Sequence, residues 1–132
     1  MKYKHLTLKI FTLIIINDLA EAVAQLLMKK GAIKSGISTI TFSNFFEFAA
    51  RNASSWMVWL GVTISILNFF VWIIILYRAD LSIASPLGST LYVFVPLLAI
   101  FFLNEHVGVL RWLGIIIIIA GINLVAKSGQ QT

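Results

Sequence analysis

Cysteine is absent from this chain of 132 residues, so no disulfide framework and no thiolate metal site can form, and redox chemistry does not place it in a compartment. Charge is scarce: 11% of residues are Asp, Glu, Lys or Arg, against about 25% in a soluble domain. A conventional water-facing surface is thereby excluded. Proline occurs only at Pro86 and Pro96, which leaves long helices free to form elsewhere. The chemistry of an enzyme is also missing, with no nucleophile–base pair, no metal-ligand cluster and no glycine-rich phosphate loop. His106 beside Glu105 is a lone histidine, not a metal site, and no cofactor is expected. What is present is hydrophobic, 60% of the chain, and that places it in the membrane class. The formal charge of +5 comes from Lys and Arg near the ends of apolar segments. Such a pattern anchors helices against anionic headgroups and is no nucleic-acid surface.

Four apolar segments are long enough to span a bilayer, which takes roughly 20 helical residues. They cover about 8–29, 56–77, 81–103 and 109–125 of a single 1–132 domain. Trp56 and Trp59 open the second and Tyr77 and Arg78 close it, an interfacial signature. The third carries Pro86, Gly88 and Pro96, which predict a kink. Short links at Arg78–Asp80 and Asn104–His106 force antiparallel neighbours, and the tail after Lys127 reads as loose. Gly31, Ser35 and Gly36 mark a turn region. Asn44 with Glu47 resembles a capping box that opens a short helix over 44–51, and Phe45, Phe46 and Phe48 suit it to the membrane interface. Lys2, Lys4 and Lys9 before a short apolar run and Ala20-Glu21-Ala22 mimic a secretory signal, but an acidic cluster at its end argues against cleavage.

The first segment holds the most informative residues. Asn17, Glu21 and Gln25 recur every fourth position and Asp18 lies three before Glu21, so on a helix they share one flank. A carboxylate at that depth costs about 2.5–3.5 kcal/mol on insertion scales, which makes it a functional candidate. Burial disfavours its charged form, and two acids one turn apart titrate as a pair. Glu21 and Asp18 can thus exchange a proton for a cationic group, unless Lys29 or Lys30 neutralises Glu21 structurally. Ser65, Asn68 and Trp72 form a stripe on the second segment, and Ser85, Ser89, Tyr92 and Pro96 one on the third. With the first-segment seam they can line a shared chamber. Ser65 and Ser89 are expected to bond their own backbone instead, and an interhelical structural bond explains Asn68 as well as a binding role does. Glu105 and Arg111 read as surface or headgroup contacts.

Lys2, Lys4, Lys9, Arg78 and Lys127 fall on one side of a four-span topology, and Lys29, Lys30, Lys34, Arg51 and Arg111 on the other. The two sets are equal, so orientation is not fixed by charge and an antiparallel pair of inverted copies becomes possible. The alternative is one orientation set by local placement. Gly114 and Gly121 share a face of the fourth segment and offer a seam for a homodimer or a heterodimer with a paralogue; packing within the chain against the third segment is the alternative.

The stretch Ala20-Glu21-Ala22-Val23-Ala24-Gln25-Leu26-Leu27-Met28-Lys29 resembles the first helix of the small multidrug resistance transporters of the drug/metabolite transporter superfamily. In that family the Glu is the proton and cation site, the Lys follows eight residues later, and a Gly pair spaced like Gly114 and Gly121 marks the dimerisation helix. Ile83-Ala84-Ser85-Pro86, Glu105, Arg111 and Trp112-Leu113-Gly114 look like the aminoarabinose-phosphoundecaprenol flippase subunits and their EamA-like relatives, as do Gln25 and Lys29. The aromatic Tyr and Trp that stack flat cations in the first family are here Ser85 and Gly88, and the flippase subunits generally lack an acid at the Glu21 position.

The resemblance implies a multi-pass transporter of a bacterial inner membrane. The leading expectation is a flippase-like carrier of a lipid-linked sugar or other amphiphile, with membrane lipids, protons and a second copy as partners. Its substrate and proton site would comprise Glu21, Asp18, Asn17, Gln25, Asn68, Trp72, Ser85 and Tyr92, with Lys29, Glu105 and Arg111 at headgroups or gates. A proton-coupled exporter of small organic cations is one alternative. A membrane assembly subunit that transports nothing is another.

Overall fold

The computed structural model describes residues 8–37 and 39–131, and every regular element among them is helical. Lys2 and Lys4 of the charge balance lie outside the described residues. In chain order the elements are α1 (Leu8–Lys34), α2 (Phe45–Ala53), α3 (Trp56–Arg78), α4 (Leu81–Leu87), a 3₁₀ turn (Gly88–Thr90), α5 (Leu91–Leu103) and α6 (Val109–Gln131). Four stretches are long and apolar enough to cross a membrane: α1, α3, α4 through α5 taken together, and Val109–Ser128 of α6.

Packing is inside-out relative to a soluble bundle. The buried cluster is small, built on Ile10, Ile14, Ile75, Ala84 and Leu87, where α1, α3 and α4 meet. Large apolar side chains such as Leu67, Phe70, Phe101, Ile116 and Leu124 point outward. That distribution is a liability in water and the natural one in hydrocarbon, where no hydrophobic force drives helices together and close backbone approach must do so.

Close approach is what the glycines of the α1–α3 pair supply. A methyl group at Gly61 would sit 2.7 Å from the Ala24 carbonyl oxygen and 2.7 Å from Met28 Cγ, and one at Gly31 would sit 2.6 Å from Val58 Cγ2. Gly31 is therefore no turn residue. It lies buried inside α1, which continues to Lys34, because the space a Cβ would need is taken by α3. The expected loose tail is likewise helical, with α6 running to Gln131.

The expected capping box fails for an identifiable reason. Asn44 does not cap α2. Its side chain instead accepts from the Thr41 backbone N–H at 2.7 Å and donates to the Thr39 carbonyl at 2.8 Å, ordering the preceding loop. Glu47, free of a capping box, pairs with Arg51 at 2.6 Å. Arg51 also donates to the Ser35 carbonyl at 2.8 Å, which ties α2 to the end of α1. At the same end of the bundle, Asn104 ends α5 in the left-handed region (φ 52, ψ 35), and the Glu105 N–H reaches back to the Ala99 carbonyl at 3.2 Å. The left-handed conformation stops the helix, and Asn is one of the few residues that tolerates it. Asn104→Ala is expected to cost about 1–2 kcal/mol, seen as a lower thermal unfolding midpoint in detergent, whereas Asn104→Gly stays near the parent.

Candidate functional site

Pro86 breaks the third span. It has no N–H to give the Ser82 carbonyl, and the helix passes through the Gly88–Thr90 turn before resuming as α5. A 3₁₀ residue turns about 120° against about 100° in an α-helix, so three of them shift the register of everything beyond by roughly 60°. The shift carries Thr90 onto α1, where its hydroxyl donates to Asp18 Oδ2. No periodic stripe in the sequence contains Thr90; the Pro-x-Gly pair before it is the only sequence signal that could have flagged it.

The break also opens a chamber of about 470 Å³. Of the residues expected from the sequence, Asn17, Asp18, Glu21, Asn68, Trp72, Ser85 and Tyr92 all line it. Gln25 does not. It has nearly the same bearing on α1 as Asp18, but stands seven residues, roughly 10 Å, further along the axis, where α5 packs against α1. There it lines a second cavity instead.

Glu21 is held from α3. Ser65 Oγ donates to Oε1 at 3.0 Å, and Asn68 Nδ2 donates to Oε2 at 3.2 Å while also reaching the Asn17 carbonyl at 3.4 Å. Ser65 thus does not bond its own backbone, contrary to the usual habit of membrane serines, because an acid acceptor on α1 lies within reach. Ser89, the other serine set aside on sequence grounds, also lines the chamber. Neither Lys29 nor Lys30 pairs with Glu21: Lys29 bridges to Glu105 and Lys30 stacks over the Phe102 ring at 5.2 Å. Each carboxylate oxygen of Glu21 has one donor and room for a second.

Trp72 forms one wall through close contact with Gly88, where a methyl group would lie 3.1 Å from its ring. This glycine stands where the resemblance would place an aromatic ring. Tyr92 is 62% exposed at the rim. Asn17 is 8% exposed, and its Oδ1 is buried without a hydrogen-bond donor among the described residues. Leaving such an atom unpaired costs about 1–3 kcal/mol. The lining holds two acids, an amide oxygen and hydroxyls, but no Lys, Arg or His.

Thr90→Val is expected to destabilise the protein by about 1–3 kcal/mol, because it removes the donor from a buried carboxyl. Thr90→Ser should restore most of the loss; equal unfolding midpoints for all three chains would show that the Asp18 contact carries no weight.

Glu105 is half-buried and Arg111 exposed. With Gln25 and Lys29 they line the second cavity, of about 360 Å³, between α1, α5 and the start of α6. The glycines of α6 stay unpacked within the chain, since a methyl group at Gly114 or Gly121 would meet nothing within 4 Å.

Residues 22–127 match the EamA-like transporter family. Among curated proteins, the chain is similar to the "Probable 4-amino-4-deoxy-L-arabinose-phosphoundecaprenol flippase subunit ArnE" of several bacteria. The Pseudomonas fluorescens Pf-5 protein is 32% identical over 74 residues, covering 56% of this chain and 64% of the relative. That of Pseudomonas fluorescens Pf0-1 is 34% identical over 79 residues, covering 60% and 66%. The Escherichia coli O127:H6 protein is 30% identical over 74 residues, covering 54% and 67%. The chain thus spans slightly less than two thirds of the length of these two Pseudomonas relatives. No solved structure matches it.

Proposed function

This chain belongs to the EamA-like transporter family, and we propose that it is a flippase-like carrier whose chamber takes the cationic head group of an amphiphile, a lipid-linked sugar bearing an amine being the best fit. It is a multi-pass membrane transporter by its family and its four span-length helices. One observation carries the finer reading: two acids and an unpaired buried amide oxygen converge, with no basic side chain, on a cavity at mid-span. An ammonium group offers donors to Glu21 and Asp18 together, and could enter in exchange for protons. Phe69 and Tyr92 beside the chamber are largely exposed, which would give a lipid-linked head group a lateral way in while its tail stays in hydrocarbon. The relatives' names, which contain an amino sugar joined to a lipid phosphate, support the same substrate class.

The chamber has Ser85 and Gly88 where stacked aromatic rings would hold flat cations, which favours the amphiphile over small aromatic cations. Rocking about the Pro86–Thr90 break would alternate access. The phenylalanine-rich α2, tied to α1 through Arg51, would lie in the interface plane. The unpacked Gly114–Gly121 face of α6 would meet a second copy or a paralogue, in keeping with relatives named as subunits.

Proteoliposomes test the reading. Saturable movement of an amine-bearing lipid-phosphate sugar, with weak or no movement of a quaternary ammonium panel, is expected. Saturable transport of the small cations alone would favour an exporter instead. No movement of any solute and no ligand-dependent proton flux would leave a non-transporting subunit.

A further inference from the structure

The second cavity has the opposite electrostatic character to the chamber. Its floor is apolar, with Leu26 and Leu98, and its rim carries Lys29, Arg111 and Glu105, with Gln25 between. The charged groups sit near the end of α1, the end of α5 and the start of α6, which lie on the same side of the four-span bundle. Lys29 is paired with Glu105. Arg111 has no ion-pair partner among the described residues, and the side-chain amide of Gln25 has no hydrogen-bond partner among them. Lys30, held over the Phe102 ring, adds positive charge nearby.

We infer that this cavity is a binding site for a phosphate group. The Arg111 guanidinium presents a planar fork of donors that matches phosphate oxygens, the Lys29 ammonium supplies a second charge, and the Gln25 amide a neutral donor. Glu105 is the competitor. Its carboxylate occupies Lys29 and must give Lys29 up when a phosphate enters, which makes the Lys29–Glu105 pair a gate. The placement of Glu105 follows from the Asn104 stop, which turns the chain back over α1 at that point. An apolar floor below a cationic rim suits a phosphate carried on a lipid chain, and the same donors would also hold free phosphate.

The site is independent of the amine chamber and is read by different probes. The purified full-length chain in dodecyl maltoside is titrated calorimetrically with inorganic phosphate and with dodecyl phosphate. Saturable binding is expected, weakened about tenfold or more in Arg111→Gln through loss of a charge-assisted contact and partly retained in Arg111→Lys. Glu105→Gln is expected to bind more tightly than the parent, because the competing carboxylate is gone; a purely structural Lys29–Glu105 bridge would give the reverse. Circular dichroism confirms that each variant is helical. Binding of dodecyl phosphate alone identifies a lipid headgroup site, and equal binding of both identifies a site for the free anion. No saturable binding of either probe, an unchanged affinity in Arg111→Gln, or weaker binding in Glu105→Gln overturns the inference. Proton release on amine addition is a separate measurement, so failure of one site does not count against the other.

Discussion

Glu21→Gln abolishes ligand-driven proton release from the detergent-solubilised protein and weakens binding of an amine-bearing amphiphile by roughly 30-fold or more. The magnitude follows from removing one partner of a desolvated charge pair, which costs about 2–5 kcal/mol, or roughly 1.5–3.5 decades in affinity. Glutamine preserves the shape and can still accept from Ser65 and Asn68, which hold the carboxylate at 3.0 and 3.2 Å, so the fold survives and the loss is electrostatic. Asp18 remains in the chamber as the second acid. A residual, weaker proton release in the variant would therefore assign part of the exchange to Asp18. Wild-type proton release from the variant would remove Glu21 from the mechanism and leave its bonds to α3 as structural only.

Gly61→Val separates α1 from α3 and lowers stability by about 3 kcal/mol. At this position an added Cβ would lie 2.7 Å from the Ala24 carbonyl oxygen, a backbone atom that cannot swing aside, and 2.7 Å from Met28 Cγ, which can. Replacing a helical glycine recovers at most about 1 kcal/mol of intrinsic propensity, less than the overpacking it causes. The Glu21 contacts with Ser65 and Asn68 cross the same α1–α3 seam, so ligand binding should fall together with the unfolding midpoint. Gly121→Val provides the control, because a side chain there meets nothing in the chain. It should leave the monomer's unfolding midpoint unchanged and weaken self-association if α6 is the dimer face. A Gly61→Val protein that melts with the parent would mean that the helices slide apart at no cost.

Much of the chamber was legible because helical periodicity is a local property. Residues three, four or seven apart share a face whatever surrounds the helix, and so Asn17, Asp18 and Glu21, Asn68 and Trp72, and Ser85 and Tyr92 could be grouped before any packing was known. The same rule misplaced Gln25, since sharing a face does not mean sharing a depth. It passed over Thr90, whose partner Asp18 lies on another helix. It also assigned Ser65 to its own backbone, because an acceptor on another helix leaves no trace in the spacing of a single one.

By itself the sequence determined that the chain carries four segments long and apolar enough to cross a membrane, that the third breaks near Pro86, and that acids lie near the middle of the first. These follow from hydropathy, from a missing N–H and from the cost of burying charge, all of which act along the chain. Tertiary structure alone decided that Gly31 and Gly61 are contact surfaces, that Lys29 pairs with Glu105 and not with Glu21, and that the polar residues divide between an acidic chamber and a basic cavity at different depths along α1. Those outcomes depend on which backbones approach within touching distance, and residues far apart in the chain carry no local signal of that distance.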